Sequence, residues 1–412
     1  MIQIAQVIIS LSMVGVIIYL IWLGLLIVFG QSRYAQVVTE FDSKYQLWIL
    51  VPALNEAPVI LATIQRFLVE TKTLPMIKML IIDDGSSDQT FSIVNDFICD
   101  NRISKVFCTH REFPNAQTGK GDALNWGYQV LLNQYATDQQ HLIVGVLDAD
   151  AYLTQAGYQR VLNQFTENPQ LGLLQSAVKI VNPDNWLQRL QDIEFLVVNN
   201  WIQNLRNRLG NAAASGNGQF VRAALVMGHH PWGNALLEDF EFSTRFLLQK
   251  IATKYDGDIW VYQEAIAKVR PFIRQRTRWA QGGLDCLAGY WPAIIKSKCL
   301  TKRAKSEMTF YMLLPFITVI TGLANILVLG YVLVNLKIMW PVLVILIVIN
   351  VLVNGYLGFA YLQRLPEQQP SRIISNLINL SFYNYLLYPV TVLAFYKKLR
   401  GQSRWEKTDH GN

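Results

Sequence analysis

The chain has 412 residues, 52% hydrophobic and 16% charged, with a formal net charge of +7 and a pI of about 9.1. So apolar a balance points to the bilayer. The positive excess does not indicate nucleic acid: it gathers beside apolar runs, at Lys296, Lys298, Lys302, Arg303 and Lys305 and again at Lys397, Lys398, Arg400, Arg404 and Lys407, where it reads as anchors for anionic headgroups.

Val7 to Phe29 is an apolar run free of charge, and ~23 residues suffice to cross a ~30 Å hydrocarbon core. No Lys or Arg precedes Arg33, unlike a secretory signal peptide. Arg33 and Lys44 follow the run, so the positive-inside rule places the next segment in the cytoplasm.

From Gln31 to about Lys305 the pattern becomes strand–turn–helix. Leu47–Val51 is a short apolar strand ending in Pro52-Ala53-Leu54-Asn55-Glu56, with a helical pattern after it (Val59, Ile60, Leu61, Ile64, Phe67, Leu68). Met79–Ile82 ends in Asp83-Asp84-Gly85-Ser86-Ser87-Asp88, and His141–Leu147 ends in Asp148-Ala149-Asp150. Apolar strands alternating with helices predict a parallel α/β sheet. Such sheets bind ligands at the carboxyl ends of their strands, so the three acidic clusters are expected in one crevice.

Asp148 and Asp150 offer two oxygen ligands that suit Mg²⁺ or Mn²⁺ completed by phosphate oxygens, although D-x-D also occurs in solvated turns. Ser86 or Ser87 reads as a helix N-cap beside carboxylates able to accept from a nucleobase or ribose. Gly119-Lys120-Gly121 opens a helix without Walker spacing, which disfavours a P-loop NTPase and leaves Lys120 as a cation for a diphosphate. Glu238 and Asp239 begin a helix at Phe240–Lys250, where the choice is between capping and a general base. Gln275-Arg276-Thr277-Arg278-Trp279, beside Arg270 and Arg274, reads either as an interfacial belt or as a diphosphate clamp with an aromatic face for a sugar.

Three further apolar stretches follow, at about Phe310–Leu336, Ile338–Leu362 and Ile373–Tyr396. A third full crossing would put the basic tail outside, against the charge rule. Since that stretch holds Asn384 and Pro389, a re-entrant hairpin or an interfacial pair is the alternative. The four cysteines show no C-x-x-C pair, and the histidines (His110, His141, His229, His230, His410) no ligand or triad spacing, so reduced thiols are expected and neither a structural zinc nor a Ser/His triad.

Together these clusters resemble the family-2 inverting glycosyltransferases of GT-A fold, in particular the membrane synthases of hyaluronan, cellulose, chitin and poly-N-acetylglucosamine. The order Val51-Pro52-Ala53-Leu54-Asn55-Glu56, Asp83-Asp84-Gly85-Ser86, Gly119-Lys120-Gly121, Asp148-Ala149-Asp150, Leu237-Glu238-Asp239 and Gln275-x-x-Arg278-Trp279 carries the resemblance over most of the predicted cytosolic domain. The tail Arg404-Trp405-Glu406-Lys407-Thr408 is similar to the closing W-x-K-T of bacterial members. Leu237 stands where many members have Thr.

The resemblance implies a Rossmann-like GT-A cytosolic domain plus transmembrane helices, in a multi-pass bacterial plasma-membrane enzyme. It divides the chain into 1–30 (membrane helix), 31–270 (catalytic domain), 271–307 (interfacial segment), 308–399 (membrane region) and 400–412 (basic tail). Pro52, Asn55, Glu56, Asp83, Asp84, Lys120, Asp148, Gln275 and Arg278 would hold a UDP-sugar. Asp150 with Asp148 would take the Mg²⁺ or Mn²⁺, and Asp239 would be the general base. Gly218 and Phe220, in a strip similar to G-x-G-x-F, would meet the acceptor with Glu238 and Trp279. The expected reaction is inverting transfer of a glucose- or N-acetylglucosamine-type unit to a β-linked polysaccharide; single transfer to a polyprenyl phosphate or diacylglycerol is the alternative, and a silent export scaffold a distant third. Translocating synthases of this group generally have more helices, so either a pore would require a partner subunit or a homodimer, or the product is not extruded.

Overall fold

A computed structural model describes residues 2–31, 41–136, 138–226, 230–233, 235–365 and 370–402. Arg33, His229, His410 and the W-x-K-T-like tail lie outside the described residues.

The three expected strands form, each slightly shifted: β1 (Gln46–Ala53), β2 (Ile77–Asp83) and β4 (Leu142–Val146), with β3 (Val106–His110) between the last two in sequence. After them come β5 (Tyr152–Leu153), β6 (Leu171–Ile180), β7 (Gln219–Arg222) and β8 (Ala252–Gln263). The eight strands make one sheet in the order β3-β2-β1-β4-β7-β6-β8-β5. β1 pairs in parallel with β2 from Leu47↔Ile77 to Ala53↔Asp83, and with β4 on its other side. Their ends therefore lie side by side, which is what gathers the acidic clusters.

The wholly parallel expectation is corrected by the other half of the sheet. β7 runs antiparallel to both β4 and β6, and β5 antiparallel to β8. The four-residue β7 carries Gln219 and Arg222 and lacks the continuous apolar run that announces a buried parallel strand.

Helices α1 (Ile2–Phe29), α2 (Ile60–Glu70), α3 (Thr90–Asp100), α4 (Lys120–Val130), α5 (Gln155–Glu167), α6 (Trp186–Ile193) and α7 (Asn200–Leu209) precede α8 (Glu238–Leu248) and α9 (Val269–Lys296). α10 (Lys302–Val334), α11 (Leu336–Arg364) and α12 (Pro370–Leu399) follow. One core lies under the sheet, where Leu47, Ile49, Val51 and Ile81 meet Ile60, Ile64 and Phe67 of the amphipathic α2. The opposite face packs Trp48, Leu50 and Ile82 against Leu124 and Tyr128 of α4.

Ser86 and Ser87 do not cap α3. The helix begins at Thr90, whose N–H and hydroxyl both donate to Asp88 Oδ1, while Ser86 Oγ accepts from the Asn55 N–H at 2.9 Å. The Ser-rich turn is used to tie two loops together instead.

Among the described residues, two helices are long and apolar enough to cross a membrane, α10 and α11; of the most apolar stretch, 17% is buried in α10 and none in α11. α1 packs along α10, with Gly15 against Thr321 and Trp22 beside Phe310 at 4.7 Å between ring centroids. Of the alternatives open for 373–396, the re-entrant hairpin does not form: α12 is one continuous helix that accommodates Pro389. The segment before α12 and the end of α12 both touch the sheet domain or α9. Arg364 donates to the carbonyls of Leu196 and Gly257, Leu365 is buried, and Lys398 pairs with Asp285 of α9 at 2.7 Å. All four cysteines are free thiols.

Candidate active site

A cavity of about 530 Å³ opens at the carboxyl ends of β1, β2 and β4. Glu56, Asp84, Lys120, Asp148 and Asp150 line one end, and Glu238, Asp239, Gln275, Arg278 and Trp279 line the middle. The far end runs between α10 and α12, past Tyr311, Met312, Pro315, Leu387 and Val390.

The strand-end loops hold one another by side chain to backbone bonds. Asn55, at a positive φ of 54°, accepts at Oδ1 from the N–H groups of Ser87 (2.8 Å) and Asp88 (3.3 Å). The next residue, Glu56, donates its N–H to Thr90 Oγ1 at 2.8 Å. Asn55 thus braces the loops, whereas Glu56 faces the cavity. Of the two adjacent carboxylates, Asp84 lines the cavity. Asp83 points away and is bonded to His110 Nδ1 at 2.6 Å. Asp84 accepts from Arg111 Nη1 at 2.5 Å and from the Gln117 N–H at 3.1 Å. Burial nonetheless raises its pKa, with Arg111 opposing that shift.

Lys120, at the first turn of α4, sits between acidic side chains, 2.6 Å from Asp148 Oδ1 and 4.0 Å from Glu238 Oε1. Burial works against its charge, but Asp148, Glu238 and Asp239 more than offset this and raise its pKa. Gly121 lets α4 approach, since a Cβ there would meet the Gly233 carbonyl oxygen at 2.0 Å.

Asp239 lies in the first turn of α8, and its Oδ1 accepts from the Phe240 N–H at 2.7 Å. Gly216, at φ +80°, brings bare backbone to the other oxygen: a Cβ there would lie 3.3 Å from Asp239 Oδ2. Burial, with the Glu238 carboxylate beside it, pushes Asp239 up to about 7; burial raises Glu238 too, against Lys120. A carboxylate so placed can take a proton near neutral pH. Burial lowers the pKa of Arg278, against Glu238, Asp148 and Asp239.

Among the described residues, no group of three or more His, Cys, Asp or Glu side chains is placed to hold a metal ion. Asp148 and Asp150 share the cavity, and Asp150 Oδ2 accepts from the Glu264 N–H at 3.1 Å. Two hard oxygen donors fit an ion that takes its remaining ligands from a substrate's phosphates, once Asp148 lets go of Lys120.

Phe220 does not reach the cavity; it is fully buried in the core under the sheet. Gly218, at φ +72°, presses on Ser176, whose Oγ would stand 2.0 Å from an added Cβ. Glu194 and Arg206, which motif reading passed over, and Arg276, to which it gave no role of its own, complete the walls. Arg276 is paired with Glu194 through two 2.8 Å bonds, and Arg206 with Glu307 at 2.9 Å. Nothing in their local sequence sets them apart, since each has other charged residues within a few positions, as Arg276 has Arg274 and Arg278 and Glu307 has Lys305.

Residues 143–357 match the family described as glycosyl transferase family group 2, and residues 48–230 match glycosyl transferase family 2. The chain is 25% identical over 398 residues to a poly-beta-1,6-N-acetyl-D-glucosamine synthase of Staphylococcus epidermidis, covering 92% of this chain and 91% of the relative. To a beta-monoglucosyldiacylglycerol synthase of Trichormus variabilis it is 28% identical over 294 residues, 71% of this chain and 60% of the relative. The fold is similar to that of the mannosyltransferase PcManGT from Pyrobaculum calidifontis, solved with GDP-Man and Mn²⁺ (TM-score 0.65, 16% identity, 97% of this chain and 99% of that one).

Proposed function

The chain belongs to the family-2 glycosyl transferases, and from that premise we propose that it moves a glucose- or N-acetylglucosamine-type sugar from UDP to a growing β-linked polysaccharide. The observation that carries this reading is Asp239, with its raised pKa, in one cavity with Asp148 and Lys120 and with the residues of α10 and α12 that line it. The full-length similarity to a polysaccharide synthase supports it.

The donor would lie with its nucleoside toward Asp84 and its diphosphate between Lys120 and Arg278. A Mg²⁺ or Mn²⁺ ion held by Asp148 and Asp150 would neutralise charge on the departing diphosphate. Asp239 takes the proton from the acceptor hydroxyl as its oxygen bonds to the anomeric carbon and the bond to the diphosphate breaks. An α-linked donor then leaves a β-linked product in one displacement, with no covalent sugar–enzyme intermediate. Lys120, released from Asp148, stabilises the leaving charge. Trp279 offers its ring to the acceptor sugar.

The sheet domain is placed in the cytoplasm, with α10 leaving it after Lys302, Arg303 and Lys305 and α11 returning to it at Arg364. With Lys398 near its end held to Asp285 of α9, α12 is read as lying at the interface. A second reading is favoured by the apolar far end of the cavity, at Met312, Leu314, Pro315, Leu387 and Val390: one sugar is transferred to a lipid that enters there.

Membranes holding the protein, given Mg²⁺ and a panel of labelled UDP-sugars, test both. High-mass, glycosidase-sensitive label from one donor is the expected result. Label confined to a lipid-extractable species replaces the first reading with the second, and no label with any UDP-sugar removes both.

A further inference from the structure

Glu194 opens a single π-helical turn, Glu194–Asn199, between α6 and α7. Interruptions of this kind re-aim side chains and are frequent at functional sites. Here the turn brings a carboxylate to the cavity wall, where both its oxygens are engaged by Arg276, Nη1 on Oε1 and Nη2 on Oε2, each at 2.8 Å. The hydroxyl of Tyr383, on α12, donates to the same Oε2. Arg276 in turn lies over the Trp279 ring, its guanidinium carbon 4.4 Å from the ring centroid, and over Phe272 at 5.0 Å. Three elements far apart in sequence thus converge on one indole.

A bidentate guanidinium–carboxylate pair fixes the plane as well as the position of the guanidinium. A cation against one face of an indole leaves the other face and edge for a ligand and restrains the ring's rotation. Arg276 is nearly enclosed, so without Glu194 its charge would be buried uncompensated and would leave its seat under Trp279.

We propose that Glu194 is a positioning residue for the acceptor: through Arg276 it sets the angle of Trp279, and through Tyr383 it ties that angle to α12. This rests on the reading of Trp279 as the acceptor platform. Glu194 takes no part in the proton transfer or in holding the donor.

The test uses the full-length enzyme in nanodiscs, with labelled UDP-N-acetylglucosamine and a β-linked N-acetylglucosamine trimer as added acceptor. If the wild type labels only lipid, diacylglycerol replaces the trimer. Glu194→Gln should raise the acceptor KM roughly tenfold, while the UDP dissociation constant stays within about twofold. Tyr383→Phe, which removes one hydroxyl and keeps the ion pair, should raise the KM by roughly two- to threefold. In a Trp279→Ala background the Glu194→Gln effect should vanish, since the pair would have nothing left to position. An unchanged acceptor KM overturns the proposal. So does an equal tenfold effect in the Trp279→Ala background, or parallel loss of UDP affinity and thermal stability, each of which marks a purely structural pair. The nature of the wild-type product reports separately on the function, so the two failures are distinguishable.

Discussion

The two ends of the cavity are built by different means. At the Asp84/Asp148 end, loops following adjacent parallel strands hold one another with short-range bonds, such as Asn55 to Ser87 and Asp88. From Trp279 on to the Tyr311 end, helices distant in sequence are joined by buried ion pairs, Arg206–Glu307 and Arg276–Glu194. A strand-end site is a by-product of sheet architecture and tolerates a lost hydrogen bond. A site assembled between helices depends on a few charges with nowhere else to go.

Where the two ends meet, Asp239→Asn should cost transfer ~10²–10⁴-fold while UDP binding with Mg²⁺ persists, as measured by product formation beside a UDP titration. Near-normal transfer would remove Asp239 from the role and leave the cavity without a base at its midpoint. The helix-built end is probed by Arg206→Met, which strands Glu307 and should lower stability by about 3–5 kcal/mol, read as thermal unfolding in detergent. Adding Glu307→Leu should recover much of that loss. If the double variant is no better than the single, the two residues do not act as a pair.

The pH profile sharpens the junction. With the Asp239 carboxyl raised to about 7, largely by burial, its basic form is lost as pH falls through that value. Acceptor kcat/KM should then drop roughly tenfold per pH unit below that region and level off above it. A profile flat from pH 5 to 8 contradicts the assignment. The smallest effect belongs to the strand-built end: Asn55→Ala removes one brace worth about 1 kcal/mol and should weaken UDP binding only a few-fold. A loss as large as that from Arg206→Met would erase the contrast between the ends.

The strand-built end was legible because each cluster follows an uninterrupted apolar run, so Glu56, Asp84, Asp148 and Asp150 could be gathered before any coordinates. Lys120 joined them as a weak signal from its glycine-flanked helix start and Asp239 through the family resemblance, and both share the cavity with them. Side-chain direction was not legible. Asp83 and Asp84 are neighbours on a strand end, and alternation sends one to His110 and the other to the cavity. Phe220 follows the same rule on β7 and is delivered to the core. The helix-built end escaped because its partners are 82 and 101 residues apart, and spacing says nothing at that range. Glu194, two residues after Asp192, and Glu307, two after Lys305, look in the sequence like ordinary charges on a helix.

The domain's attachments bear on what can move. The Gly30 carbonyl accepts from Asn204, Glu307 is locked to Arg206, Arg364 grips two carbonyls, and Lys398 is held by Asp285. Three of these contacts tie the end of α1, α10 and the end of α11 to the sheet domain, and the fourth ties α12 to α9, so any rocking of the domain against α10 would first have to pull apart a buried ion pair.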